Sequence, residues 1–275
     1  MFQEIYYLNH LNEKIDMVSE CYSIADVPFA SHTWDFETED STGVERIKKK
    51  KKKLQKQSFL MRVNAGLMSH DDAYNKLINA FETDIIAEIP GKVYVDDQYL
   101  ECYIYEMSAD VIVDGLGSSI HSFKIMPSYP FWVSESSYHF NSTGIVSNDN
   151  KSYVGKYGYR YAGGLNSSYI INPHFADSNF KMIIYGPITN PQVTIGKNQH
   201  LVYITLEEGE YLEIDSRTGT LVKVLQNGER VNAFHNRQKG KTFFKKIASG
   251  RQNISFSNAM IFDLFIYEER SEPKW

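Results

Sequence analysis

Tyr211-Leu212-Glu213-Ile214-Asp215, Ser216-Arg217-Thr218-Gly219, Thr220-Leu221-Val222-Lys223-Val224-Leu225 and then Asn227-Gly228 form the most ordered stretch of the sequence. Leu212 and Ile214 fall on one side of an extended chain, and Tyr211, Glu213 and Asp215 fall on the other. Ser216 to Gly219 turns that strand into the next, and Asn-Gly is the strongest short hairpin signal a sequence offers. Working outward, residues 180–185 end at Gly186-Pro187 and residues 200–206 end at Glu208-Gly209. Residues 243–247, 253–256 and 261–267 continue the series. Short alternating runs at such spacing predict a two-sheet β-sandwich.

The N-terminal half is also mainly extended. Residues 2–8 read as a strand, 9–13 as a turn and 14–18 as its return. In residues 33–38 Trp34 and Phe36 alternate with Asp35 and Glu37, and residues 59–63 form the matching strand of a hairpin. Between them residues 39–56 are polar and rich in lysine, a long loop or extended arm. One helix is predicted: Ser69 is a suitable N-cap, Asp71 and Asp72 suit the positive end of the dipole, and Tyr74, Leu77, Ile78 and Phe81 share a face. Pro90-Gly91 closes that region. Residues 92–95, the turn Asp96-Asp97 and residues 98–107 read as a hairpin, and residues 119–125 alternate again. Pro127-Ser128-Tyr129-Pro130-Phe131-Trp132 breaks the pattern, and polar residues dominate from Ser134 to Ser152. The expected organisation is a first domain over residues 1–133, a linker over 134–152 and a sandwich over 153–275. No solenoid or propeller period is present.

Composition narrows the class. The chain has 19 Tyr and 16 Phe, residues that favour strands and interfaces. A net charge of −5 argues against a general nucleic-acid coat. Cys21 and Cys102 are the two cysteines, with no C-x-x-C pair, and read as free thiols. Met1-Phe2-Gln3-Glu4 does not open a signal peptide, and no segment approaches the roughly 20 apolar residues of a membrane span. Synthesis in the cytosol is expected.

Reactive centres are hard to find. No G-x-S-x-G elbow exists. The eight histidines, His10, His32, His70, His121, His139, His174, His200 and His235, show neither H-x-H nor H-x-x-x-H spacing. Glu207, Glu208, Glu210, Glu213 and Asp215 could supply paired carboxylates for glycoside hydrolysis, but their alternation is that of a solvent-facing strand. Gly155-Lys156-Tyr157-Gly158 and Gly163-Gly164 match no phosphate-binding fingerprint. His235-Asn236-Arg237 has the polar character of a sugar site without a nearby Trp. Lys48 to Lys53 are six adjacent ammonium groups, read as a solvated loop tip or as a contact for phosphates or an acidic neighbour. The expectation is no catalytic, cofactor-binding or metal site, hence no enzyme and no cofactor.

Several segments carry a resemblance. Gly186-Pro187-Ile188-Thr189-Asn190-Pro191 precedes Gln192-Val193-Thr194-Ile195. Then follow Gly209-Glu210-Tyr211-Leu212-Glu213-Ile214-Asp215, Gly250-Arg251-Gln252-Asn253-Ile254-Ser255-Phe256, and Phe262-Asp263-Leu264-Phe265-Ile266-Tyr267 with Glu268-Glu269-Arg270. Their order and spacing resemble the distal tail proteins of siphophage tail tips. The first strand pair, the helix, the hairpin after Gly91 and Pro130-Phe131-Trp132 resemble the family's belt domain more loosely. The resemblance implies a β-barrel-like belt domain with one helix and a galectin-like β-sandwich. It implies a structural role: a ring of six copies joining the tail tube protein to the tail-tip hub, with receptor-binding proteins docked at its rim. Genomic DNA would pass through that ring without sequence-specific contact, and the protein would reside in the virion, at the tail tip, without membrane insertion. The family's sandwich does not retain the galectin sugar site, and no large insertion here leaves room for an added carbohydrate-binding module. The lysine run is not a family hallmark. The hairpin over residues 33–63, with its long arm, is expected to reach an adjacent subunit. The rival readings are a lectin-like carbohydrate-binding module using His235 or Arg237, a glycoside hydrolase using Glu213 or Asp215, and another tube-type tail protein.

Overall fold

Alternating runs separated by polar turns fold as strands, and the computed structural model of the chain is mainly β, with antiparallel sheets. It describes residues 4–24, 31–41, 43–113, 117–141, 169–239, 243–256 and 260–274. The chain forms two compact units, Met1–Val133 with Arg270–Trp275, and Ser134–Glu269.

The first unit contains β1 (Ile5–Leu8), β2 (Lys14–Asp16), β3 (Tyr22–Ile24), β4 (Trp34–Ser41), β5 (Val44–Lys52), β6 (Gln57–Asn64), α1 (His70–Ala87), β7 (Gly91–Val95), β8 (Gln98–Val113) and β9 (Ser118–Pro127). Its main sheet runs in the order β2-β1-β7-β8-β9-β6-β3. A bridge between Val18 and Ser23 and a bond from Ser19 N to Tyr22 O of 2.8 Å return the chain after β2 to β3, so the sheet curls toward closure. Tyr7, Ile15, Met61, Val63, Val93, Phe123 and Ile125 are fully buried in its core. Burying each such side chain contributes roughly 1.5–3 kcal/mol.

Ser69 caps α1, its hydroxyl accepting from Asp72 N at 3.1 Å. The helix buries Ala73, Leu77, Ala80 and Phe81 in the same core. It runs to Ala87, six residues past the predicted stretch, because Asp84 has tertiary partners described below.

Residues 59–63 were expected to pair with residues 33–38, and this is corrected. β6 pairs instead with β3 and β9, Phe59 opposite Phe123 with stacked rings 5.0 Å apart. The partner of β4 is β5, the strand that carries the lysines. Ser134 to Phe140, expected to begin a linker, belong to β10 (Trp132–Phe140). Ser137, Tyr138 and Phe140 are buried there, and serine at an inward position hid the alternation. Residues 142–152 of that expected linker lie outside the described residues.

The second unit holds β11 (Tyr169–Asn172), β12 (Asn179–Tyr185), β13 (Ile188–Thr189), β14 (Gln192–Ile195), β15 (Asn198–Leu201), β16 (Thr205–Leu206), β17 (Tyr211–Asp215), β18 (Thr220–Val224), β19 (Arg230–Asn232), β20 (Gly250–Phe256) and β21 (Ile261–Arg270). Strands β19-β18-β17-β12-β21 lie side by side, and β11-β20-β14-β15 form a second sheet. Phe180, Met182, Leu212, Ile214, Phe262 and Leu264 of the first sheet share one core with Ile170, Val193, Ile195 and Ile254 of the second. That is the predicted sandwich. The Asn227-Gly228 turn joins β18 to β19, with Gly228 at φ 85°. Residues 243–247 are not a regular strand, although Phe243 and Ile247 are buried and Ile247 bridges to Ser178.

Candidate functional site

The sequence places four acids on β4 and a run of cations on β5, and register decides what this does. Asp35, Glu37 and Glu39 lie directly opposite Lys51, Lys49 and Arg46. Cross-strand neighbours share a face, so one face of this arm is a ladder of opposite charges. Lys53 Nζ lies 2.8 Å from Asp35, and Lys48 Nζ lies 3.2 Å from Glu39. The register shifts between Glu37 and Thr38, where Lys48 is the unpaired extra residue of a β-bulge. The bulge sets Ile47 opposite Thr38 rather than Glu39. Ile47 therefore joins Trp34 and Phe36 on the other face. The lysine run is thus a paired strand, not a loop tip, and its ribbon has one face of paired charges and another on which Trp34, Phe36 and Ile47 stand among Lys52, Lys50 and Thr38.

The root of the arm is anchored in the first unit. Trp34 meets Phe131 edge-on at 6.1 Å between centroids, and the Lys52 ammonium lies 4.7 Å over the same ring. Lys52 Nζ donates to Ser271 O at 3.0 Å, and His32 Nδ1 lies 2.6 Å from Glu272. Burial pushes the Lys52 ammonium down to about 8, partly countered by Glu272. Beyond the root the face carrying Phe36 and Ile47 is open: Phe36 is 56% and Ile47 64% exposed. Among the described residues β4 and β5 pair only with each other.

A second surface lies at the C-terminal end of α1. Ile85, Tyr103, Tyr105 and Met126 line an open apolar groove of about 400 Å³, with Lys56 and Glu88 at its rim. Ile86, next to Ile85 in the chain, is 80% exposed, and Ile89 is 49% exposed. The last turn of α1 carries no basic residue, so its carbonyl end keeps its negative character. Burial, then the carboxylates of Glu88 and Asp84, push the Tyr103 phenol up.

The other candidates stay apart. Glu213 lies 2.5 Å from Arg230 Nη2 and 3.6 Å from Lys181 Nζ, and Glu210 lies 2.6 Å from Lys223 Nζ. Asp215 accepts from Arg217 N at 2.7 Å. These carboxylates serve ion pairs and a turn on the outer face of β17. His235 is exposed on a single 3-10 turn. The Arg237 guanidinium stacks 3.6 Å from the Phe234 ring and donates to Phe234 O at 2.5 Å. Cys21 and Cys102 are free and buried, and burial pushes the Cys102 thiol up, away from thiolate chemistry. Among the described residues no three of His, Cys, Asp or Glu converge as metal ligands would. Among the described residues no helix is long and apolar enough to cross a membrane. Gly155 to Gly158 and Gly163-Gly164 lie outside the described residues.

Sequence reasoning missed the groove and the Phe36–Ile47 face of the arm. The groove gathers residues from α1, β8 and β9 that are distant in the chain. The only local signal for it was Ile85-Ile86 past the expected helix end.

Comparison with solved structures places the whole chain in one known fold. Two similar chains come from the phage P2 baseplate in its activated conformation, one with Ca and one with Sr. Each has a TM-score of 0.62 and 12% identity; the first match covers 99% of this chain and 100% of that one, the second 98% and 99%. The SPP1 Dit protein, described as a paradigm of the hub adsorption apparatus in phages infecting Gram-positive hosts, gives a TM-score of 0.59 at 9% identity, covering 97% of this chain and 98% of that one. The fold that the motif order implied is therefore shared over both units. The sequence matches no protein-family model and no curated protein.

Proposed function

We propose that this chain is a distal tail protein of a siphophage tail tip, a structural subunit of the virion rather than a catalyst. The carrying observation is the end-to-end likeness: both units, in the same order, align with baseplate and Dit chains at nearly full coverage of each partner. A sandwich alone would be weak support, since common folds host many functions. Two different units in one order over about 97–100% of both chains constrain the role much more closely.

In this reading the first unit is a belt that joins six copies into a ring. The second unit, residues 153–275 in the expected division, is the outward docking surface. The ring links the tail tube protein to the tail-tip hub and offers its rim to receptor-binding proteins, while genomic DNA passes through its centre. The arm supports ring formation: a two-stranded ribbon is marginally stable alone in water and gains from cover by a neighbour. The carbohydrate-binding alternative gains nothing from Arg237, whose guanidinium is already engaged by Phe234.

Negative-stain images of the purified protein test the reading. Rings with a central hole and about sixfold symmetry are expected. Particles of one chain at every concentration, with glycan binding that depends on His235, would replace this reading with the lectin one.

A further inference from the structure

Strand register gathers an amide, a carboxylate and an amine at one end of β12 in the second unit. Asn179, the first residue of β12, stands opposite Tyr267 of β21, two residues before Glu269. Ser178 and Ile247 form an antiparallel bridge, bonded in both directions at 2.8 and 2.9 Å. One step along that bridge sets Lys246 across from Asn179, so their side chains share a face.

The contacts are those of an acyl transfer. Asn179 Nδ2 lies 2.9 Å from Glu269 Oε1 and 3.0 Å from Oε2. Lys246 Nζ lies 3.5 Å from the same Oε2. One carboxylate therefore touches both the amine and the amide nitrogen. The side-chain carbonyl of Asn179 accepts from the Ser216 hydroxyl at 3.3 Å, and that hydroxyl is held by Phe180 N at 2.7 Å. Asn179 is 6% exposed and the Glu269 side chain 8%, while the Lys246 side chain enters from the solvent side. A nucleophile, a proton carrier between it and the leaving group, and a donor on the acyl oxygen are what amide exchange needs.

We propose that Lys246 and Asn179 join in an isopeptide bond, with Glu269 carrying the proton. The Lys246 ammonium gives a proton to Glu269, and the free amine attacks Cγ of Asn179. The new C–N bond forms as the carbonyl electron pair moves onto Oδ1, where Ser216 donates. Glu269 returns its proton to Nδ2, the Cγ–Nδ2 bond breaks, and ammonia leaves. Ammonia takes the surplus proton of the lysine nitrogen, so the products are a secondary amide and ammonium. No oxidant or further reactant is consumed. The link closes the long loop from Asn179 to Lys246 and constrains the unfolded chain as a disulfide does. It concerns the second unit by itself and does not depend on the ring.

The test is the mass of the denatured full-length protein after incubation at about pH 9, where more of the lysine is free amine. The wild type is expected to be lighter than its sequence by one ammonia. Trypsin is expected to release one branched peptide joining Asn179 to Lys246. Lys246→Arg keeps the cation without the primary amine, and Glu269→Gln removes the proton carrier. Both are expected at full sequence mass without the branched peptide, and Lys246→Arg is expected to melt at a lower temperature. Circular dichroism checks folding, and Lys246→Arg, at a half-exposed position, decides the matter if Glu269→Gln does not fold. A wild type at full sequence mass would overturn the proposal. So would ammonia loss that persists in Lys246→Arg, as ring closure at Asn227-Gly228 would give. A branched peptide from folded Glu269→Gln would overturn the role of Glu269.

Discussion

The Tyr7 hydroxyl on β1 donates to the carboxylate of Asp84 on α1, and both residues are fully buried. Asp84 Oδ1 also accepts from His10 N at 2.8 Å, and His10 Nδ1 lies 2.6 Å from the same oxygen, while Tyr7 holds Oδ2. Burial and this carboxylate push the Tyr7 phenol far up, so it remains a donor. A Cβ at Gly91 would lie 2.2 Å from the Tyr7 hydroxyl and 2.3 Å from Asp84 Oδ2. Only glycine lets the strand pass so close.

Tyr7→Phe keeps the ring and removes the donor. It leaves a buried carboxylate one hydrogen bond short, which costs about 1–3 kcal/mol. Urea unfolding is expected to show a lower midpoint at unchanged slope, with faster amide exchange in the last two turns of α1. An unaltered midpoint would mean that the helix is held by its apolar face alone.

Ser69→Ala removes the cap that accepts from Asp72 N. The expected loss is about 0.5–2 kcal/mol. Ser69→Asp should restore most of it, because a carboxylate also suits the positive end of the helix. Equal stability of the Ala and Asp variants would show that the cap contributes nothing.

His200 stands edge-on between Phe180 and Phe243, with centroids at 5.1 and 5.4 Å. Burial pushes it down to about 4 from 6.5. Between those values the unfolded chain binds a proton that the folded chain does not, so stability falls as pH drops from 6.5 to 4. The full effect is about 3 kcal/mol. In His200→Phe this part of the acid loss is expected to vanish, read as urea midpoints at pH 7, 5.5 and 4. Parallel losses in both proteins would assign the acid sensitivity to other groups.

Lys52 works in the opposite range. Its folded value of about 8 lies below its ordinary 10.5. The unfolded chain therefore holds the extra proton between these values, and the cost of burying the cation is relieved as pH rises from 8 to 10.5. Cys102 and Tyr22, both pushed up by burial, titrate with the contrary sign above pH 9 to 10. The difference between wild type and Lys52→Met isolates the lysine. That difference is expected to favour Met most below pH 8 and to shrink toward pH 10.5. A constant difference would show that Lys52 keeps its proton throughout.

Much of the fold was legible where local chemistry decides it. Ser69 and Asp72 marked the start of α1, and Leu212 with Ile214 marked the inner face of β17, because caps and alternation are properties of neighbouring residues. Pairing partners were less legible. Phe59 announces a buried face but not that Phe123, 64 positions away, will stack on it. Lysines disfavour strands, and only the acids Asp35, Glu37 and Glu39 across the ribbon make β5 a strand. The end of α1 depended on Asp84 finding Tyr7 and His10, which no helical periodicity contains. The groove was invisible for the same reason, since Ile85 and Tyr105 meet only after folding.

The extra residue at Lys48 separates two attributes of the arm. With one lysine fewer, Lys49 and Ile47 would follow each other in an unbroken ladder, still opposite Glu37 and Thr38, and each side chain would keep its side. What would change is the bend, because a bulge kinks and twists the strand that carries it. The count of lysines thus tunes the curvature with which the ribbon leaves its root, while the register fixes what it displays.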